Sequence, residues 1–129
     1  MPRVTALYAA LLALLFLALS FAVIRQRYRT RIAIGTGREP ALERAARVHA
    51  NFAEYAPFAL LLMLLAELLG AAPWWLHAIG LALLVGRAVH AFGVSQREEN
   101  LRFRQAGMAL TFAVLALGAA TAAWLSLTR

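Results

Sequence analysis

Charged residues fall in blocks along this chain, and four long apolar stretches lie between them. Val4 to Ile24 carries no charge, which is enough to cross the ~30 Å hydrocarbon core of a bilayer as a helix. That run is longer than a signal-peptide core, and further apolar spans follow, so it reads as a retained first helix. The segment Arg25 to Glu39 is polar and holds the flexible turn Gly35-Thr36-Gly37. Pro40 suits the first turn of a helix, where a missing N–H is no loss. The pattern predicts helices over about 4–24, 40–69, 74–94 and 105–127, with a tight turn at Gly70-Ala71-Ala72-Pro73 and a charged loop from Ser95 to Arg104. The expected architecture is an all-α integral membrane protein, a four-transmembrane-helix bundle forming one domain over residues 1–129.

Arginine placement gives the bundle a direction. Arg25, Arg27, Arg29, Arg31, Arg38, Arg44, Arg47, Arg97, Arg102 and Arg104 gather at one end, against Arg3 and Arg129 at the other. The positive-inside rule places both Arg-rich loops in the cytoplasm and both termini outside. Trp74, Trp75 and Trp124 fall at the outer ends of their helices, as an interfacial aromatic belt requires.

Five polar groups interrupt the apolar pattern: Arg47, Asn51, Glu54, Arg87 and His90. On the second helix Glu43, Arg47, Asn51 and Glu54 follow i, i+4, i+8, i+11 spacing and share one stripe, flanked by Tyr55. On the third, Arg87 and His90 are i, i+3 neighbours. A short turn joins these helices, so the two stripes can meet. A structural lock is one explanation, with Glu54 paired to Arg87 and Asn51 bonded between helices. An anionic ligand is the other, because Arg47, Arg87 and Arg102 face a single carboxylate, Glu54. Pro57 is expected to free the Ala53 carbonyl and kink the helix beside the stripe. His49 points off the stripe and reads as a packing residue, or as one that reaches a neighbouring subunit in the oligomer that the family resemblance described below implies. His77 and Glu67 read as interfacial groups, and Gly107, Gly118, Ala119 and Ala120 as a close-packing surface.

Composition narrows the chemistry. The chain is 63% hydrophobic and has a net charge of +7. The charge lies beside apolar runs, so lipid headgroups or an anionic ligand explain it better than nucleic acid does. Cysteine is absent, which excludes disulfides, thiolate metal sites and a cysteine nucleophile. Any thiol must come from a ligand. The absence of lysine and the heavy use of Ala, Leu and Arg suggest a GC-rich bacterial genome, hence a bacterial inner membrane.

The run from Glu43 to Pro57 resembles the signature of the MAPEG family, the membrane-associated proteins of eicosanoid and glutathione metabolism. Arg47, Asn51, Glu54, Tyr55 and Pro57 stand where that signature has its fixed residues. Gly86-Arg87-Ala88-Val89-His90-Ala91-Phe92-Gly93 is similar to the end of the third helix in the family's bacterial branch. The resemblance implies a homotrimer that binds glutathione between subunits at the cytoplasmic side, as co-substrate for conjugation or peroxidase chemistry on a lipophilic electrophile. It assigns Arg47, Asn51, Glu54 and Tyr55 to glutathione binding. It adds Arg27 or Arg25 from the first helix and makes Arg102 the group that activates the thiol. Arg87 and His90 join the binding set, with His90 and Val94 standing where the leukotriene branch has tyrosines. An arginine next to a thiol lowers its pKa and raises its thiolate fraction, so protein position and charge would serve a ligand-borne nucleophile. The family also includes a lipid-binding protein, so a non-catalytic lipid- or partner-binding role is the alternative.

Overall fold

The computed structural model describes residues 1–128 and consists of four helices: α1 (Arg3–Thr30), α2 (Pro40–Leu68), α3 (Pro73–Ser95) and α4 (Leu101–Thr128). All four are long and apolar enough to cross a membrane. They form one bundle in which α2 and α3 each touch every other helix, while α1 and α4 lie on opposite sides. Large apolar side chains such as Leu14, Phe21, Phe58, Leu81, Phe92 and Phe112 face outward along its flanks. A bilayer solvates such side chains, and helices satisfy their own backbone polar groups there.

Two helix ends differ from the sequence pattern. α1 runs on through Arg25–Thr30, because polar side chains end the membrane-spanning run but not the helical hydrogen-bond ladder. It stops at Arg31, which adopts a left-handed conformation with φ 57°. Arg27 then closes the turn beyond, donating from Nη1 to the carbonyls of Ile32 at 3.1 Å and Gly35 at 3.0 Å. α4 begins at Leu101 rather than near Gln105, because Asn100 supplies an N-cap: its Oδ1 accepts from the Arg102 amide at 3.1 Å. Arg102 and Arg104 are therefore helical. α2 continues through Pro57 without a break.

Lipid removes most of the hydrophobic drive for helix association, so close packing has to hold the bundle. Buried residues on α2 recur at heptad spacing, Phe52, Ala56, Ala59, Met63 and Ala66, and meet Leu76, Ile79 and Leu83 of α3. Glycine sets the closest approaches. A Cβ on Gly80 would fall 2.3 Å from the Tyr8 ring, and one on Gly107 would fall 2.6 Å from the Gly86 carbonyl oxygen. Gly107 and Gly118 are buried, whereas Ala119 and Ala120 face outward, so the small-residue contact on α4 uses only the two glycines.

At the end opposite the arginine blocks, α1 is fastened by two polar contacts. Glu67 of α2 accepts from the α1 backbone amides of Val4 at 2.9 Å and Thr5 at 2.7 Å. It thus serves as the N-terminal cap that α1 lacks in its own sequence. The Tyr8 hydroxyl lies 3.2 Å from both His77 Nδ1 and the His77 carbonyl. Glu67 and His77, expected at the interface, thus both bind α1. Glu67→Ala is expected to lower stability by ~1–2 kcal/mol, because two amide donors lose a charged acceptor, and Glu67→Gln by less. Thermal unfolding of the detergent-purified variants checks this.

Candidate functional site

Arg87 is the most deeply buried charged group in the bundle, at 1% exposure. It lies about two turns from the Arg-rich end of α3. Among the described residues no carboxylate neutralises it, and their one ion pair is Arg104–Glu99, at 2.8 Å. Instead Arg87 donates to neutral acceptors on two other helices. Nε reaches Thr111 Oγ1 at 3.1 Å, Nη1 reaches Asn51 Oδ1 at 2.6 Å and Nη2 reaches Met108 Sδ at 3.3 Å. The guanidinium carbon also lies 6.0 Å from the centre of the Tyr55 ring, within cation–π range. Tyr55 in turn meets Phe112 edge-on at 5.6 Å. The Gly86–Gly107 contact brings α4 close enough for Thr111 to take part.

A cavity of about 120 Å³ opens toward the Arg-rich end, with Asn51 and His90 at its inner end. Its wall is completed by Glu43, Arg44 and Arg47 of α2, Val94 of α3, Arg104 of α4 and Glu99 just before α4. Three guanidinium groups and two carboxylates surround it, and the Arg87 cation sits behind Asn51. Mixed charge with a cationic excess suits a ligand carrying more than one carboxylate together with an ammonium group.

The residues singled out by sequence are distributed as follows. Arg47, Asn51 and His90 line the cavity, and Arg87 and Tyr55 lie directly beyond it. Glu54 does not pair with Arg87; it is exposed on the outer surface of α2. The pairing fails because Asn51 occupies the guanidinium face that α2 presents. Arg102 is exposed on the first turn of α4 outside the cavity, and Arg104 is the α4 arginine that lines it. Within this chain, Arg27 is engaged by the first loop. His49 packs inside the chain, stacked on Phe16 at 4.6 Å with Nε2 3.1 Å from Ser20 Oγ.

Sequence reasoning missed Arg44, Glu99, Arg104, Thr111 and Met108. Arg104 stands two residues after Arg102, so recognising the Asn100 cap would have placed both on α4 and separated their faces. Thr111 and Met108 carry no signal in an apolar helix.

The Arg87 network has a measurable signature. Asn51→Leu leaves a buried cation short of an acceptor and is expected to cost ~2–4 kcal/mol. Replacing both partners in Asn51→Leu/Arg87→Met is expected to recover most of that loss, since apolar groups of similar size need no acceptor. Unfolding midpoints of the two single variants and the double variant read the coupling.

A sequence profile of the MAPEG family matches residues 5–124 of the chain. The chain is also 44% identical over 114 residues to Inner membrane protein YecN of Escherichia coli strain K12, covering 88% of this chain and 86% of that protein. Inner membrane protein YecN of Escherichia coli O6:H1 strain CFT073 matches to the same extent. With four membrane-length helices, the signature residues on α2 and a family match spanning nearly its whole length, this chain belongs to the MAPEG family.

Proposed function

We propose that the protein is a glutathione-dependent transferase or peroxidase of a bacterial inner membrane, acting on lipophilic electrophiles. In this reading both termini lie in the periplasm and both Arg-rich loops in the cytoplasm, following the arginine asymmetry between the two ends. The observation that carries it is the cationic cavity at the Arg-rich end, with Arg47, Asn51 and His90 gathered in its wall. Glutathione offers two carboxylates, an ammonium and a thiol. The guanidinium groups of Arg44, Arg47 and Arg104 suit the carboxylates, and Glu43 or Glu99 suits the ammonium.

Because the chain has no cysteine, the reactive sulfur belongs to the ligand. An arginine at the thiol favours thiolate over thiol, which is the activation step. Arg102 and Glu54 face outward in one chain, so their part in this chemistry requires a neighbouring subunit. A homotrimer with sites between subunits supplies one. The flanks exposed to lipid give a lipophilic second substrate a route to the thiol.

The Arg87–Asn51–Thr111 network is satisfied inside one chain, which favours the second reading, a lipid- or partner-binding protein that keeps these groups as a lock. Calorimetry with glutathione separates the two. The expected result is saturable binding by the detergent-purified protein that weakens at least ~10-fold in Arg47→Ala, together with thiolate absorbance near ~240 nm. Arg102→Ala is expected to lower kcat for conjugation of a generic electrophile while leaving glutathione affinity within about threefold. Absence of binding at millimolar glutathione returns the protein to the second reading.

A further inference from the structure

We infer that a second cavity at the Arg-rich end, between α1 and the start of α2, holds the phosphate of an anionic phospholipid whose headgroup carries no ammonium. This cavity shares only Arg44 with the one lined by α2, α3 and α4, and its occupancy does not depend on the glutathione reading.

The second cavity has a volume of about 260 Å³. Arg25 and Gln26 of α1 line it, with Ala41 and Arg44 of α2 and Ser95, the last residue of α3. Neither arginine belongs to an ion pair among the described residues. No carboxylate is among the residues that line the space. The first cavity differs in this respect, because Glu43 and Glu99 accompany its arginines. A ligand ammonium has a partner there, whereas in the second cavity it would meet only like charge. Guanidinium groups match phosphate oxygens with paired hydrogen bonds. Gln26 and Ser95 add side-chain donors for the phosphate or for headgroup hydroxyls. Ala41 lies in the first turn of α2, an end that no side chain caps, so the positive end of a 29-residue helix adds to the field.

Depth selects a lipid over a soluble phosphate. Arg25 directly follows Ile24, the last residue of the uncharged run that begins at Val4, which puts the cavity at headgroup level. Leu14, Leu17, Phe21 and Arg25 follow i, i+3, i+7, i+11 spacing and share one face of α1. The three apolar members of that face are exposed. An acyl chain laid along them brings its phosphate to Arg25, while a soluble phosphate gains nothing from the strip.

The test is thermal unfolding of the detergent-purified protein with dioleoyl phosphatidylglycerol, dioleoyl phosphatidylethanolamine or glycerol phosphate added. Phosphatidylglycerol is expected to raise the midpoint saturably, and the other two are not. Arg25→Gln is expected to weaken phosphatidylglycerol about 10-fold, the loss of one guanidinium–phosphate contact. Arg29→Gln removes the same charge one turn further along α1, from an exposed residue that does not line the cavity, and is expected to weaken the lipid by less than about threefold. Ala41→Leu fills the cavity without changing charge. Because Ala41 is exposed, this variant is expected to unfold near the wild-type midpoint without lipid and to lose the saturable response. No response to phosphatidylglycerol, an equal response to phosphatidylethanolamine, equal losses in Arg25→Gln and Arg29→Gln, or a saturable response kept by Ala41→Leu overturns the proposal. A rise with glycerol phosphate that matches the lipid overturns it too, and assigns the cavity to a soluble phosphate. Glutathione is left out throughout, so failure here leaves the transferase reading where calorimetry puts it.

Discussion

A guanidinium held at membrane depth with no carboxylate beside it is the constraint around which the rest of the bundle is arranged. Removing such a charge from water costs several kcal/mol, and only well-placed acceptors offset it. Here the acceptors are neutral and come from two different helices: Asn51 from α2, and Thr111 and Met108 from α4. Both helices must therefore approach α3 at one level. The α4 approach is possible because Gly86 and Gly107 bring their backbones together with no side chain between them. Bundle geometry and site geometry are thus the same problem at this level.

The far end of the molecule limits how α1 and α2 can move relative to that level. Glu67 caps α1 across the helix interface, and Tyr8 lies on the bare backbone of Gly80 while its hydroxyl meets His77. Sliding α1 along α2 would uncouple two amide donors from their carboxylate. Sliding it along α3 would drive the tyrosine ring into neighbouring side chains. Polar contacts at one end and the Arg87 network toward the other fix the axial register of the α2 stripe, and the cavity depends on that register.

Much of this was legible in the sequence, because membranes impose a strict grammar. The four spans, the turn at Gly70 and the facing stripes of α2 and α3 follow from hydropathy and helical period alone. Two helix ends lie beyond their apolar runs, at Thr30 and Leu101, because polarity marks the end of a membrane span and not the end of a helix. The Glu54–Arg87 pair failed for a different reason. Charge complementarity suggested it, but Asn51 lies nearer along the same stripe and presents an oxygen without a second charge to desolvate. Thr111 was invisible because an isolated threonine in an apolar helix ordinarily bonds back to its own turn, and this one does so as well as serving Arg87.

Glu54 remains the group least at ease in an isolated chain. Counting back from Leu68 at ~1.5 Å per residue places it about 21 Å along α2, inside a hydrocarbon layer of ~30 Å. It is exposed there and has no ion-pair partner among the described residues. A carboxylate facing lipid at that depth is costly, and the cost falls only if the group neutralises or is covered by something that carries donors. Arg102 is exposed at the Arg-rich end of the same molecule, and the α2 stripe leads from the cavity outward to Glu54. In the reading proposed above, one event answers both demands: a second copy of the chain against this face covers the carboxylate and supplies the arginine that a single cavity lacks.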